Sequence, residues 1–447
     1  MTQRIAAALW GMPTMFVFVG CGLFFTVLLR FLQIRGVGEM IRTVTGREKN
    51  GSRGQVSPFQ SMCTALAASI GTGNIVGVCA ALSAGGPGAV FWMCVSAFFG
   101  EATAYAENAL GVLYRQTDAD GIVRGGAMYT MQNGLQDLIG QTNARRMGKM
   151  YAFLTVGAAL GMGNAVQINT AAAALHDAFG VPMLLTGVLG ALLLSFLLYK
   201  GRTAVAKTAE RLVPFSCIVF FIACFAVIVK QYQQIPGVCR DILHGAFGFQ
   251  SIGGGFSANV LRQGVITGFR RGIFSNEAGL GTSVAVHAAA EGGTPHEQGL
   301  RSMAEVFFDT VLMCSLTAVC VLCVPQASSV PPTQMFVYAL QSLFGNAAGR
   351  IVAVALSLFA VSTLIGWSFF GRESSHFVFG KRGDIPFCIL FCAVVCLGSR
   401  MSFSTVWHIS DMMNALLAFP NLLSLFLLCE KVMQIGKTSI VIDKFKK

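Results

Sequence analysis

Ser69-Ile70-Gly71-Thr72-Gly73-Asn74 interrupts one long apolar segment, and about 200 residues later Phe274-Ser275-Asn276-Glu277-Ala278-Gly279-Leu280-Gly281 interrupts another. In hydrocarbon an unpaired backbone N–H or C=O costs several kcal/mol, so broken backbone survives at membrane depth only where protein buries it or it lines a cavity. A pair of such breaks, one in each half of a chain, points to a midplane binding site of the kind transporters use.

The rest of the chain supports a bilayer setting. Its 447 residues are 54% hydrophobic and 12% charged, against about 25% charged in soluble domains. Spans of about 20 apolar residues are expected at 13–33, 58–81, 88–113, 149–175, 181–199, 208–230, 257–286, 302–324, 348–371, 385–400 and 408–429. The first is an extra N-terminal helix (domain 1–34). Arg4 precedes its apolar run, which passes Phe24 to Leu32 without a small-residue cleavage motif, so an uncleaved span is expected. The other ten divide into core helices 1–5 (57–230) and 6–10 (250–430), followed by a basic tail (431–447).

Charge placement sets the expected orientation. Arg35, Arg42, Arg47, Lys49 and Arg53 share a side with Arg115, Arg124, Arg145, Arg146, Lys200, Arg202, Lys207, Arg301, Arg372, Lys381, Arg382 and the tail lysines, whereas loops 82–87, 176–180 and 325–347 hold no Lys or Arg. By the positive-inside rule the basic side is cytoplasmic, which places the N-terminus outside and the C-terminus inside the cell membrane. The +12 net charge is thereby a topological signal, and nucleic-acid binding is not expected. Five spans per half reverse the orientation of the second half, so an inverted 5+5 repeat with discontinuous core helices 1 and 6 is expected.

Unwinding at Gly71–Asn74 frees N–H groups whose positive dipole end suits a carboxylate and carbonyls that suit Na⁺, with Asn74, Thr72 and Ser69 adding oxygens. A flexible kink or close helix crossing is the plainer alternative. GTGNIVG at 71–77 also mimics a dinucleotide loop, but no strand precedes it. Glu277 is an ionisable group at membrane depth with Arg270 and Arg271 within two turns, so ion pairing, capping of freed N–H groups and substrate contact all stand open. Asn164, Gln167 and Thr170 recur every three residues on core helix 3, as interhelical hydrogen bonding or ligand contact would require. Ser362-Thr363 on core helix 8 suits either back-bonding to its own helix or a hard cation. Glu107 and Asp411 are expected near a membrane edge. The Cys320/Cys323 pair lacks a second pair to complete a zinc site, and Cys388, Cys392 and Cys396 read as packing residues. No HExxH, nucleophile elbow or phosphate-cradling loop occurs in the sequence, so an enzyme is not expected.

The stretches SPFQSMCTALAASIGTGNIVG (57–77), GGPGAVFW (85–92), YRQTDADGIVRGGAMY (114–129), GNAVQIN (163–169), RRGIFSNEAGLGT (270–282) and FAVSTLIGWSFFG (359–371) resemble the alanine/glycine:cation symporter family. The resemblance implies an all-α, leucine-transporter-like fold of the amino acid–polyamine–cation superfamily that imports alanine or glycine with Na⁺, or in some members H⁺. It carries substrate contacts onto Thr72, Gly73, Gln167, Phe274, Ser275, Gly279, Thr363 and Trp367. It places one Na⁺ among carbonyls near Ala68 and Gly71 and the hydroxyls of Ser362 and Thr363, and a second ion near Asn74. It implies no organic cofactor, and a monomer in the lipid bilayer is expected. The chain departs from the family pattern at Thr282-Ser283-Val284, where a proline-bearing segment is usual, and at Ala127, where the usual GGPMY has proline. A channel or a membrane interaction protein is the rival from another class.

Overall fold

A computed structural model describes residues 9–46, 56–248, 256–291 and 293–445. Arg4, Arg47, Lys49, Arg53, Lys446 and Lys447 of the charge pattern lie outside them. Helices dominate the described residues: α1 (Met12–Leu28), the short amphipathic α2 (Val37–Thr45), α3 (Pro58–Ser69), α4 (Val78–Gly85) and α5 (Gly88–Leu113) open the chain. Next come α6 (Gln141–Leu160), α7 (Val166–Phe179), α8 (Met183–Tyr199), α9 (Arg202–Lys230) and α10 (Ile235–Phe247). The second half comprises α11 (Phe256–Asn276), α12 (Val284–Ala289), α13 (Pro295–Val306), α14 (Ser315–Leu322), α15 (Met335–Phe344), α16 (Asn346–Phe379), α17 (Asp384–Gly398) and α18 (Phe403–Leu427). The basic tail is helical as well, as α19 (Cys429–Phe445).

Every apolar segment marked in the sequence carries helix, but among the described residues six helices are long and apolar enough to cross a bilayer, or seven when α3 and α4 are taken as one bent span. The difference from eleven has physical causes. At 17 residues each, α1 and α8 are short, α11 carries Arg262, Arg270 and Arg271, and Asn346–Gly398 forms one helical run of 53 residues through a 3-10 turn.

Local chemistry sets the ends that matter for the site. Pro58 opens α3 behind a capping box in which Ser57 Oγ accepts from Gln60 N–H at 3.1 Å and Gln60 Oε1 accepts from Ser57 N–H at 3.1 Å. Thr294, Pro295 and Glu297 repeat that device at α13. Helix α3 then bends by 49° into the segment leading to α4. Wide π turns occupy Gly73–Gly77, Gly161–Ala165 and Phe307–Cys314, a geometry frequent at functional sites. Close crossing comes from Gly366 of α16, where an added Cβ would stand 2.6 Å from Ala68 N of α3.

Leu189, Leu192, Leu193 and Phe196 of α8 and Ile218, Ile222, Phe225 and Val229 of α9 remain exposed, the outward apolar face that hydrocarbon requires. At the basic end, the loop after α5 folds into a small hairpin pairing Gln116–Thr117 with Val123–Arg124. Arg124 there bonds Asp118 at 2.7 Å and the buried Glu373 of α16 at 3.1 Å, and Arg202 of α9 reaches Glu373 at 3.2 Å. Desolvation opposes ionisation of Asp118, but hydrogen bonds from Arg124 and from the Ile122 and Asp120 amides, with the Arg124 charge, hold its carboxyl below the usual range. The fourteen cysteines are free thiols.

Candidate functional site at two helix breaks

The first break is held by groups reaching in from four other helical segments. Thr72 directs both its N–H (3.1 Å) and its hydroxyl (2.9 Å) at Gln167 Oε1 of α7. Thr363 of α16 comes within 3.3 Å of Ile70 O while donating to Phe359 O at 3.0 Å, and Ser362 donates to the same carbonyl at 2.8 Å. The two hydroxyls therefore back-bond to their own helix and, at Thr363, also face the broken backbone. Asn74 spans the gap: its Oδ1 accepts from Gly71 N–H at 3.0 Å. Its Nδ2 donates to Ser275 Oγ at 3.1 Å and Asp309 Oδ1 at 2.7 Å. Asp309 also accepts from Ser275 Oγ at 2.7 Å and Thr310 Oγ1 at 2.8 Å. Fully buried oxygens of neutral and anionic type thus converge where the breaks meet, a donor set that suits a hard cation.

The second break cannot continue as helix, because Glu277 (φ 56°), Gly279 (φ 89°) and Gly281 (φ 75°) are left-handed. Its freed carbonyls are answered by side chains: Asn421 Nδ2 donates to Gly279 O at 3.0 Å and Tyr151 OH to Leu280 O at 2.7 Å. Glu277 accepts from Thr282 Oγ1 at 2.6 Å and from Trp367 Nε1 at 3.1 Å. Oε1 therefore ties this break to α16 while Oε2 closes the break on its own Thr282, and neither arginine nearby is used for it. Arg270 and Arg271 pair instead with Asp411 of α18, the latter at 3.7 Å. Trp10 Nε1 donates to Asp411 O at 2.7 Å. The Arg271 guanidinium lies over Trp407 at 4.8 Å and over Phe274 at 5.6 Å.

Glu107 and Asp411 are buried within the protein, 2% and 0% exposed. Glu107 accepts from Asn421 at 2.8 Å and so supports the second break. The Asn164–Gln167–Thr170 stripe splits: Asn164 lies in the π turn at Gly161–Ala165, and Gln167 and Thr170 lie in the regular helix α7. Asn164 bonds Phe391 O at 2.7 Å, Thr170 bonds Val166 O of its own helix at 2.9 Å, and only Gln167 reaches the break. Gly73 sits beside Phe274, 3.7 Å from where its Cβ would be. Phe274 stacks on Trp407 with centroids 5.3 Å apart. Trp367 packs on Gly163, whose added Cβ would fall 2.1 Å from the indole. Gly279 is covered by Phe18 of α1 and Leu422 of α18, so it offers the breaks only its backbone. Asp309, Thr310, Trp407 and Asn421 complete the cluster without any sequence motif to mark them; Asp309 alone had a signal, as a carboxylate in an apolar span.

Among proteins of known fold, the manganese transporter of Eremococcus coleocola is similar at a TM-score of 0.52 and 13% identity, over 85% of this chain and 78% of that one. That likeness shows a membrane-transporter fold. The sodium/alanine symporter AgcS of Methanococcus maripaludis is 36% identical over 96% of this chain and 94% of its own. An uncharacterized transporter of Haemophilus influenzae is 35% identical over 99% and 94%, and the probable sodium/glutamine symporter GlnT of Bacillus subtilis 34% over 95% and 87%. Residues 1–440 match the family model described as the sodium:alanine symporter family. The relatives cover the two breaks and the helices that hold them, and this multi-pass membrane chain belongs to the sodium:alanine symporter family.

Proposed function

We propose that the chain imports a small neutral amino acid, alanine or glycine, together with Na⁺ by alternating access across the cytoplasmic membrane. In this reading it crosses eleven times, with the repeats at 57–230 and 250–430 related by inversion and the basic end cytoplasmic. The observation that carries it is the Thr72 N–H and hydroxyl turned onto one amide oxygen, Gln167 Oε1. An amino-acid carboxylate is a stronger acceptor of the same kind, and would take that place with Gly73 beside it. The substrate side chain would then meet Phe274, with Trp367 bounding the far wall through its bond to Glu277. Large rings on two sides favour a methyl or a hydrogen over longer side chains. GlnT is named for glutamine, so wall residues rather than the carboxylate grip would set selectivity within the family.

Na⁺ would be cargo held by the Ile70 carbonyl and the Ser362 and Thr363 hydroxyls, with Ala68 and Gly71 adjoining. A second ion beside Asn74 would have Asp309 as its counter-charge. Binding of Na⁺ between α3 and α16 would favour the arrangement in which those helices are apposed, which is the coupling. A potential of ~100 mV supplies about 2.3 kcal/mol per charge and a tenfold gradient about 1.4 kcal/mol, together on the order of 500-fold accumulation. The test is radiolabelled alanine uptake into proteoliposomes. Uptake should rise with external Na⁺; equal uptake in K⁺ or choline medium at fixed pH would remove the sodium reading in favour of H⁺ coupling.

A further inference from the structure

Between the second break and the basic end, residues of α3, α5, α13 and the break enclose a cavity of about 10 Å³ open to the centre of a water-sized sphere. That is room for roughly one water or one monatomic ion, and too little for an amino acid. The residues on its wall include Glu107, Glu277 and Glu305 and Ser69, Ser283 and Ser302, beside Ala65, Ala104 and Val306. Glu107 and Glu277 are held in place by the hydrogen bonds described above. Glu305 is different. Its Oε2 bonds His287 Nε2 at 3.0 Å, whereas its Oε1 is buried without a partner. Asn276, also on the wall, has a buried Nδ2 without a partner. Both residues are 7% exposed.

A buried carboxylate oxygen left unbonded is costly, and here its residue lines a void shared with two further glutamates and three serines. Among the described residues these three carboxylates bond His287, Thr282, Trp367 and Asn421, and the Arg301 charge also acts on Glu305. Arg301, one turn back on α13, donates to Thr43 O at 3.2 Å. We infer that this cavity is a monovalent cation site, separate from the Thr363 cluster, with Glu305 Oε1 as its anionic ligand and Glu107, Glu277 and the serine hydroxyls around it. Oxygen-only donors select a hard cation over a soft one. The assignment of that cation as Na⁺ rests on the sodium-coupled reading above; on it, the ion pauses here between leaving the breaks and reaching the basic end.

The experiment is equilibrium binding of radioactive sodium to the purified full chain without amino acid, for wild type, Glu305→Gln and Thr363→Val. Glu305→Gln should bind one Na⁺ fewer per chain than wild type, and Thr363→Val should lose a different ion, so that the double variant loses both. Wild-type stoichiometry and affinity in a folded Glu305→Gln variant would overturn the site and leave the void to water. If that variant does not fold, crystals of wild type grown in Tl⁺ decide. An anomalous peak among Glu305, Glu107 and Ser302 supports the site, and density there without anomalous signal overturns it. Alanine uptake that ignores Na⁺ while the Tl⁺ peak is present would refute the coupling reading and spare the site.

Discussion

Thr363→Val replaces a hydroxyl by a methyl of nearly the same volume, so packing against α3 is preserved while one oxygen is removed. That hydroxyl donates to Phe359 O at 3.0 Å and lies 3.3 Å from Ile70 O, the carbonyl at the end of α3. Losing a hydrogen bond costs about 0.5–1.5 kcal/mol, and leaving a buried carbonyl unanswered raises the figure to about 1–3 kcal/mol. If the same oxygen is a ligand of the coupling ion, the loss appears in Na⁺ affinity. A cost of about 1–3 kcal/mol weakens binding by roughly 5- to 150-fold. The assay is the Na⁺ concentration giving half-maximal alanine uptake in proteoliposomes, measured beside the melting temperature of each purified variant. Thr363→Ser, which keeps the oxygen, should stay within a few-fold of wild type. If Thr363→Val melts lower yet keeps the wild-type half-saturating Na⁺, the hydroxyl serves packing alone and the proposed ion site is wrong.

Two further outcomes are expected. Trp367→Phe keeps the aromatic wall over Gly163 but removes the Nε1–Glu277 bond at 3.1 Å. It should lower stability by about 1–3 kcal/mol, the range for leaving a buried acceptor unpaired, and raise the half-saturating alanine concentration; an unchanged competition profile and melt would clear Trp367 from the site. At the basic end, the Asp118 carboxyl is held below its ordinary range, so its folded pKa is depressed relative to the unfolded value of about 3.9. The stability it contributes is therefore fully present above about pH 4 and is lost as pH falls through the lowered folded value. Asp118→Asn should melt lower than wild type at neutral pH and lose that acid-side dependence; a gap that persists unchanged to the lowest measurable pH would refute the assignment.

The two breaks were legible because the chemistry that makes them is local. Gly71, Gly279 and Gly281 stand outside the helices that flank them, and Glu277, Gly279 and Gly281 at the second break are left-handed in the fold. Gln167, Thr363 and Trp367 were legible as polar or amphipathic groups in apolar runs. Which of them would meet was not. The spacing of Asn164, Gln167 and Thr170 suggests one face, but their hydrogen bonds go to Phe391, to the first break and to their own helix. Ion pairing of Arg270 or Arg271 with Glu277 was one of the open readings, and the distant Asp411 takes both arginines instead.

What the amino-acid order determined by itself is the demand: long apolar stretches, punctured by glycine and carboxylate, with basic loops at alternate ends and family motifs spanning most of the chain. Burying a peptide group or charge in such surroundings obliges it to find a partner, and that obligation is written locally. The partners' identities belong to the tertiary structure. Trp367 and Glu277 stand 90 positions apart, Arg270 and Asp411 141, and Asn74 and Asp309 235. Only helix crossings such as Gly366 on Ala68 and Gly163 on Trp367 bring them within bonding range, because a hydrogen bond depends on distance in space and carries no record of separation along the chain.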